Sequence, residues 1–335
     1  MKTWLLLFFI VVPTVLSAQN QDGSQLPASL PKLHYHAVTD FLKFPKHIYM
    51  SEGAGIEVDK AGNIYVFSRV GEGGHPLMVF DRDGNFLDTI GDGLYAFEFP
   101  HQLRFDRDGN LWAVDDGSNM AVKFVFNGID WRPALTLGRR SEPFGDDGVV
   151  VNRAALPSFS NVMFNMPTDV AFGLNGEIYV ADGYKNSRVQ KFDKNGKFLK
   201  SWGRRGSGKG EFYLPHAIIT DSKGLVYVGD RENSRIQIFD PDGNYLREWD
   251  NVGKPWALCL TNEPKQMMFV ADGTVNRILK MDLDGHVLGW WGGPGKALGE
   301  FNNIHSIVCT PNGDLYITET QNYRIQKLVP DGDGR

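Results

Sequence analysis

One pattern returns six times along this chain, and a chain that repeats itself every 40 to 50 residues has few folds open to it. The copies are GIEVDKAGNIYVFSR from Gly55, QLRFDRDGNLWAVDD from Gln102, DVAFGLNGEIYVADG from Asp169, AIITDSKGLVYVGDR from Ala217, ALCLTNEPKQMMFVADG from Ala257 and SIVCTPNGDLYITET from Ser306. Each reads as an apolar strand, a turn that carries glycine in all but the fifth copy, a second apolar strand ending near an acid, a polar turn and a third strand. Asp-Gly and Asn-Gly at the turns are strong hairpin signals. The spacing is 47 residues from Gly62 to Gly109 and 48 from Gly176 to Gly224. Segments such as GKFLKSWG and GNYLREWD supply fourth strands. Four-stranded units of this length cannot bury both faces alone and must stack around a ring. The prediction is an all-β, six-bladed β-propeller over residues 33–330. The last unit stops after its third strand at Leu328, so residues 34–44 are expected to add its outer strand, close the ring and remove an edge. Residues 127–165 are expected to form an insertion after the third strand of blade two.

The flanks read differently. Lys2, the apolar run Trp4 to Leu16 and the small residues Ser17 and Ala18 form a signal-peptide pattern over residues 1–18, too short for a membrane span. Residues 19–32 are expected to be a flexible linker and 331–335 a tail, which places the mature protein in the periplasm or outside the cell with no membrane span after cleavage. A net charge of -5 lacks the basic footprint of a nucleic-acid binder. Cys259 and Cys309 lie three or four residues into consecutive inner strands. An exported protein has the option of pairing them, but buried free thiols are the reading favoured here.

Three of the eight histidines share a register. His101, His216 and His305 each stand eight residues before a turn glycine, at the start of the innermost strand of blades two, four and six. The equivalent residues of blades one, three and five are Ala54, Thr168 and Trp256. Alternate blades of a six-fold ring lie 120° apart, so three imidazoles are expected to meet on the axis. Three neutral histidines suit Zn²⁺ and leave a fourth position for water or substrate. His34, His36, His47, His75 and His286 share no register and read as surface or packing residues. A second position, seven residues after the turn glycine, holds Arg69, Asp116 and Arg231, with Tyr184 one residue further on in blade three. An arginine there is suited to gripping a carboxylate, and a tyrosine beside a metal to acid–base work. The plainer reading pairs Arg231 with a neighbouring Asp and packs Tyr184 on the ring.

The units of the form YVAD…N.RIQ.FD resemble NHL repeats over residues 50 to 330. The stretches PHQLRFDRDGNLWAVD, LGRRSEPFGDDG, MPTDVAF, YVADGYKNSR, LPHAIIT and GDRENSRIQIF resemble, more closely, the peptidyl-α-hydroxyglycine α-amidating lyase family. That resemblance implies Zn²⁺ on His101, His216 and His305, Tyr184 as base, and Arg69 and Arg231 on the substrate carboxylate. It implies cleavage of a peptidyl- or acyl-α-hydroxyglycine to an amide and glyoxylate, with a separate monooxygenase supplying the substrate. It also implies a structural Ca²⁺ on the backbone carbonyls of Ile56 and Leu103. Ser306 stands where the family has an aspartate for that ion, Asn303 where it has methionine, and Lys185 where it has a cysteine. Two other classes compete. One is a non-catalytic propeller that binds protein or glycan, which has no use for three registered histidines. The other is a calcium-dependent lactonase-type hydrolase, for which Asp169 is the one acid at an inner-strand start.

Overall fold

The computed structural model describes residues 26–27, 29–71, 74–140, 163–262 and 265–332. The signal-peptide segment and residues 141–162 of the expected insertion lie outside these. Six four-stranded antiparallel sheets surround an axis. Their innermost strands are Glu52–Val58, Pro100–Phe105, Asp169–Phe172, Pro215–Thr220, Pro255–Leu260 and Ile304–Cys309. The ring closes as predicted, because Tyr35–Val38 pairs antiparallel with Arg324–Pro330 and becomes the outer strand of blade six.

Three expectations are corrected. Blade two has its own outer strand, Trp131–Gly138, inside the segment assigned to the insertion. Its irregular alternation and Pro133 hide it, and proline is tolerated there because an outermost strand need not donate every ladder bond. Cys259 and Cys309 form a disulfide between blades five and six. Their Cα atoms are 5.8 Å apart, within the bonding range, because consecutive inner strands run side by side at matching depth. The end of the expected linker also packs: Trp290 N–H donates to the Pro31 carbonyl and Leu33 N–H to the Trp290 carbonyl, along the outer strand of blade five.

The core is divided among the six blade junctions. Tyr65, Phe67, Leu103 and Phe124 fill the gap between blades one and two, and Ile236, Trp249, Leu258 and Val270 that between four and five. Truncating a fully buried ring such as Phe67 to alanine costs about 3–5 kcal/mol. The acid ending each second strand explains the recurring N.R motif. Asp182, Asp230, Asp272 and Glu319 pair with Arg188, Arg235, Arg277 and Arg324 at 2.6–2.9 Å. The same acids accept backbone N–H groups of the segment leading into the inner strand, as Asp230 does from Tyr213. Each arginine therefore fixes an acid that in turn fixes the approach to the axis.

Candidate metal centre

The strand beginning at each histidine is irregular in one repeated way. The inner-strand register shifts between Pro100 and Gln102, Pro215 and Ala217, and Ile304 and Ser306, so His101, His216 and His305 each sit on a β-bulge. Ala54 and Trp256 sit on the same bulge in blades one and five. A bulge leaves one residue unpaired and re-aims its side chain, here toward the axis. The three rings meet with centroids 4.6–5.2 Å apart. Their ligand nitrogens all lie within 4.8 Å of one another, and all three residues are buried.

Each Nδ1 is spoken for. His101 donates to the carbonyl of Thr168 at 2.6 Å, His216 to Trp256 at 2.6 Å and His305 to Ala54 at 2.9 Å. The acceptors are the equivalent residues of the next blade. Even blades contribute imidazoles and odd blades contribute the carbonyls that orient them. The bonds assign the proton to Nδ1 and leave the Nε2 lone pairs for the axis, the arrangement found behind metal-ligating histidines. Burial comes first in holding all three well below the ordinary histidine value of 6.5; the crowding of the other two imidazoles follows for His101, and a neighbouring arginine for His216 and His305, so they stay neutral.

The remaining predicted residues converge on these nitrogens. Tyr184 Oη lies 3.4 Å from Nε2 of both His101 and His216. Burial raises its phenol, Arg231 and Arg69 pull it down, and Asp116 pushes it up. Arg69 Nη2 lies 3.2 Å from His305 Nε2; its Nε donates to the Pro100 carbonyl at 2.9 Å and its Nη1 to Glu52 at 3.1 Å. The Arg231 guanidinium stacks 4.3 Å over Trp256, and its Nε donates to Glu232 at 2.9 Å. The partner of Arg231 is thus Glu232 and not the aspartate expected, and Tyr184 packs edge-on to two imidazoles, yet both side chains still face the centre. Trp256 and Phe99, which stacks under Arg69 at 4.0 Å, complete the walls. Trp256 was visible in the sequence only as the residue standing where a histidine was missing.

Further along the channel the donors do not suit Ca²⁺, which takes six to eight oxygens. The Ser306 hydroxyl donates to Gln102 Oε1 at 2.8 Å, and the same oxygen accepts Leu103 N–H. The guanidinium of Arg104 occupies the axis instead. It is bidentate to Asp169 at 3.0 and 2.8 Å, lies 3.8 Å from Glu57, and crosses to the Leu258 carbonyl of blade five at 3.2 Å. Asp169 also accepts the amides of Val170 and Ile218. Its carboxylate is fully engaged, which removes the one acid that the hydrolase reading relied on. Ile56 and Leu103, whose carbonyls the resemblance assigned to that ion, are buried strand residues with side chains in the blade-junction cores.

The fold and site together define a six-bladed β-propeller carrying three buried imidazoles on its axis, a centre able to hold a metal ion. Residues 162–278 match a family described as a 6-bladed beta-propeller. The chain is 35% identical over 164 residues to peptidyl-glycine alpha-amidating monooxygenase B of Xenopus laevis, which covers 47% of this chain and 16% of that protein. It is 30% identical over 202 residues to a probable peptidyl-alpha-hydroxyglycine alpha-amidating lyase of Caenorhabditis elegans, covering 53% of each. The matched region thus spans about half the length of these curated relatives, or less. Among solved structures, an auxiliary nutrient binding protein from Bacteroides ovatus superposes with a TM-score of 0.61 at 13% identity, over 90% of this chain and 78% of that one, and shares the fold.

Proposed function

We propose that this protein is a zinc-dependent lyase that cleaves a peptidyl- or acyl-α-hydroxyglycine to an amide and glyoxylate. The observation that carries this reading is the convergence of three Nε2 atoms with the Tyr184 hydroxyl, 3.4 Å from two of them, between two arginines. The lyase-named relatives support it. A donor set of three neutral imidazoles favours Zn²⁺, which when bound supplies a Lewis acid for the substrate oxygen and lowers the pKa of groups beside it. Neutral, carbonyl-anchored histidines keep that position ready without competing protons. Tyr184 takes the proton of the α-hydroxyl as the carbon–nitrogen bond breaks. Arg69 and Arg231, braced by Glu52 and Glu232, hold the carboxylate of the hydroxyglycine. The aromatic faces of Trp256 and Phe99 shield this ion pair from water. A separate monooxygenase supplies the hydroxylated substrate. The Cys259–Cys309 disulfide fits an oxidising compartment, consistent with a secreted or periplasmic protein.

The test is glyoxylate release from an N-acyl-α-hydroxyglycine by the purified protein. The reading expects activity that a chelator removes and added Zn²⁺ restores. A zinc-loaded protein that releases no glyoxylate would contradict it and leave a binding propeller.

A further inference from the structure

Asp116 fills in blade two the rim position that holds Arg69 in blade one and Arg231 in blade four. It follows the strand Leu111–Asp115 directly, and its side chain is buried, with the residue 2% exposed. Its neighbour shows what a structural carboxylate looks like here. Asp115 accepts the amides of Glu98 and Phe99 at 2.9 Å and that of Ser118 at 2.8 Å. Asp116 Oδ1, equally hidden from solvent, has no hydrogen-bond partner among the described residues. Leaving such an oxygen unsatisfied costs on the order of 1–3 kcal/mol, which a ligand group reaching the rim would remove.

The surroundings say which part of a ligand that is. The charged and titratable groups facing Asp116 are Arg69, Asp115 and Glu98, and it acts in turn on Tyr184. It therefore stands in the field of both the carboxylate clamp and the base. In an α-hydroxyglycine, the carboxylate, the hydroxyl and the amide nitrogen are all attached to one carbon. A clamp takes the first and Tyr184 the second, so a third polar group near both faces the nitrogen. Burial, opposed by Arg69, pushes the Asp116 carboxyl up to about 7, so that it retains a proton close to neutrality.

Resting on the lyase reading above, we propose that Asp116 is a catalytic acid that protonates the departing amide nitrogen. Tyr184, as phenolate, removes the hydroxyl proton. The oxygen's electrons form the aldehyde carbonyl, and the carbon–nitrogen pair leaves with nitrogen. The Asp116 proton then completes the amide, R–CO–NH₂, beside glyoxylate. One proton is taken and one given, and exchange between the phenol and the carboxylate through solvent resets the pair. No oxidant or reductant is needed.

The test is Asp116→Asn, which keeps the volume and removes the proton. The expected loss in kcat/KM is about 100-fold or more with metal content unchanged. The wild-type rate should decline above about pH 7, and that limb should vanish in the variant. The loss should shrink for substrates with electron-withdrawing acyl groups, whose nitrogen leaves without help. Asp116→Glu, which retains an acid, should keep the pH-dependent limb and serves if the asparagine variant does not fold. An asparagine variant that keeps the wild-type rate within about three-fold, or that loses rate equally for every acyl group with no change in the pH profile, would overturn the assignment, as would a glutamate variant whose rate no longer declines above neutrality. A wild type that makes no glyoxylate overturns the lyase reading itself and this role with it; an active wild type beside an indifferent variant overturns Asp116 alone.

Discussion

His216 and Trp256 hold the same repeat position in consecutive blades, and the Nδ1–H of the first reaches the carbonyl of the second at 2.6 Å. The relation recurs from His101 to Thr168 and from His305 to Ala54. A propeller that alternates imidazole and carbonyl around its axis sets the tautomer, the ring plane and the direction of every Nε2 before any ion arrives. Such preorganisation comes from backbone atoms, so it survives substitution of the residue that supplies the carbonyl.

Tyr184→Phe should separate binding from chemistry. The ring remains edge-on to His101 and His216, so metal content stays at the wild-type level. Loss of the hydroxyl should lower kcat by about 100- to 10,000-fold. Glyoxylate release under saturating substrate is the measurement, and near-wild-type kcat would remove Tyr184 from the reaction.

Arg231→Lys should act on substrate capture. Lysine keeps a charge but loses the planar fork and the stack on Trp256. The expected result is a KM higher by about ten-fold or more, with a smaller change in kcat. An unchanged KM would show that Arg231 serves only its pair with Glu232.

The buried cation at Arg104 implies indifference to calcium. Melting temperature should not move on adding Ca²⁺ or a calcium-selective chelator. Arg104→Met should destabilise the fold by about 3–5 kcal/mol, because Asp169 would be left buried without its partner. Thermal melting measures the first and denaturant unfolding the second, and a stabilising response of the wild type to Ca²⁺ would contradict this assignment.

The histidine centre also predicts acid sensitivity in the metal-free protein. The folded values lie below the unfolded value of 6.5, so as pH falls the unfolded chain binds these protons first. Stability is therefore intact above pH 6.5 and lost below it, by up to about 1.4 kcal/mol per pH unit per histidine. Glu57 and Asp116, both raised to about 7, act in the opposite direction between their unfolded values and neutrality. The difference between wild type and His305→Gln isolates the histidine contribution. The variant should lose less stability between pH 7 and 5.5, and an equal loss would mean that His305 is protonated in the fold.

Much of this was legible in sequence because propeller geometry converts repeat register into position. Counting back from Gly109, Gly224 and Gly313 was enough to bring His101, His216 and His305 together, and counting forward found Arg69 and Arg231. What stayed hidden depends on contacts between blades, for which a repeat carries no register. Arg104 meets Asp169 of blade three and Leu258 of blade five, and no local pattern couples them. Cys259 and Cys309 differ by one step in repeat position yet lie at matching depth on neighbouring inner strands, a proximity that the repeat register does not carry. The bulge at each histidine is invisible in one dimension, although the positive φ of Leu214 and Asn303, at 67° and 60°, marks the bend that precedes it. Asparagine tolerates that left-handed conformation better than most residues, which gives Asn303 a backbone reason to stand where relatives were expected to carry methionine.

Metal content of the purified wild type against His216→Ala, prepared side by side with zinc and measured by elemental analysis, decides whether the three imidazoles hold a metal. About one zinc per chain is expected in the wild type and essentially none in a variant that remains folded. A wild type that stays metal-free in excess zinc, or a variant that binds it as well, would contradict three converging imidazoles as a metal centre.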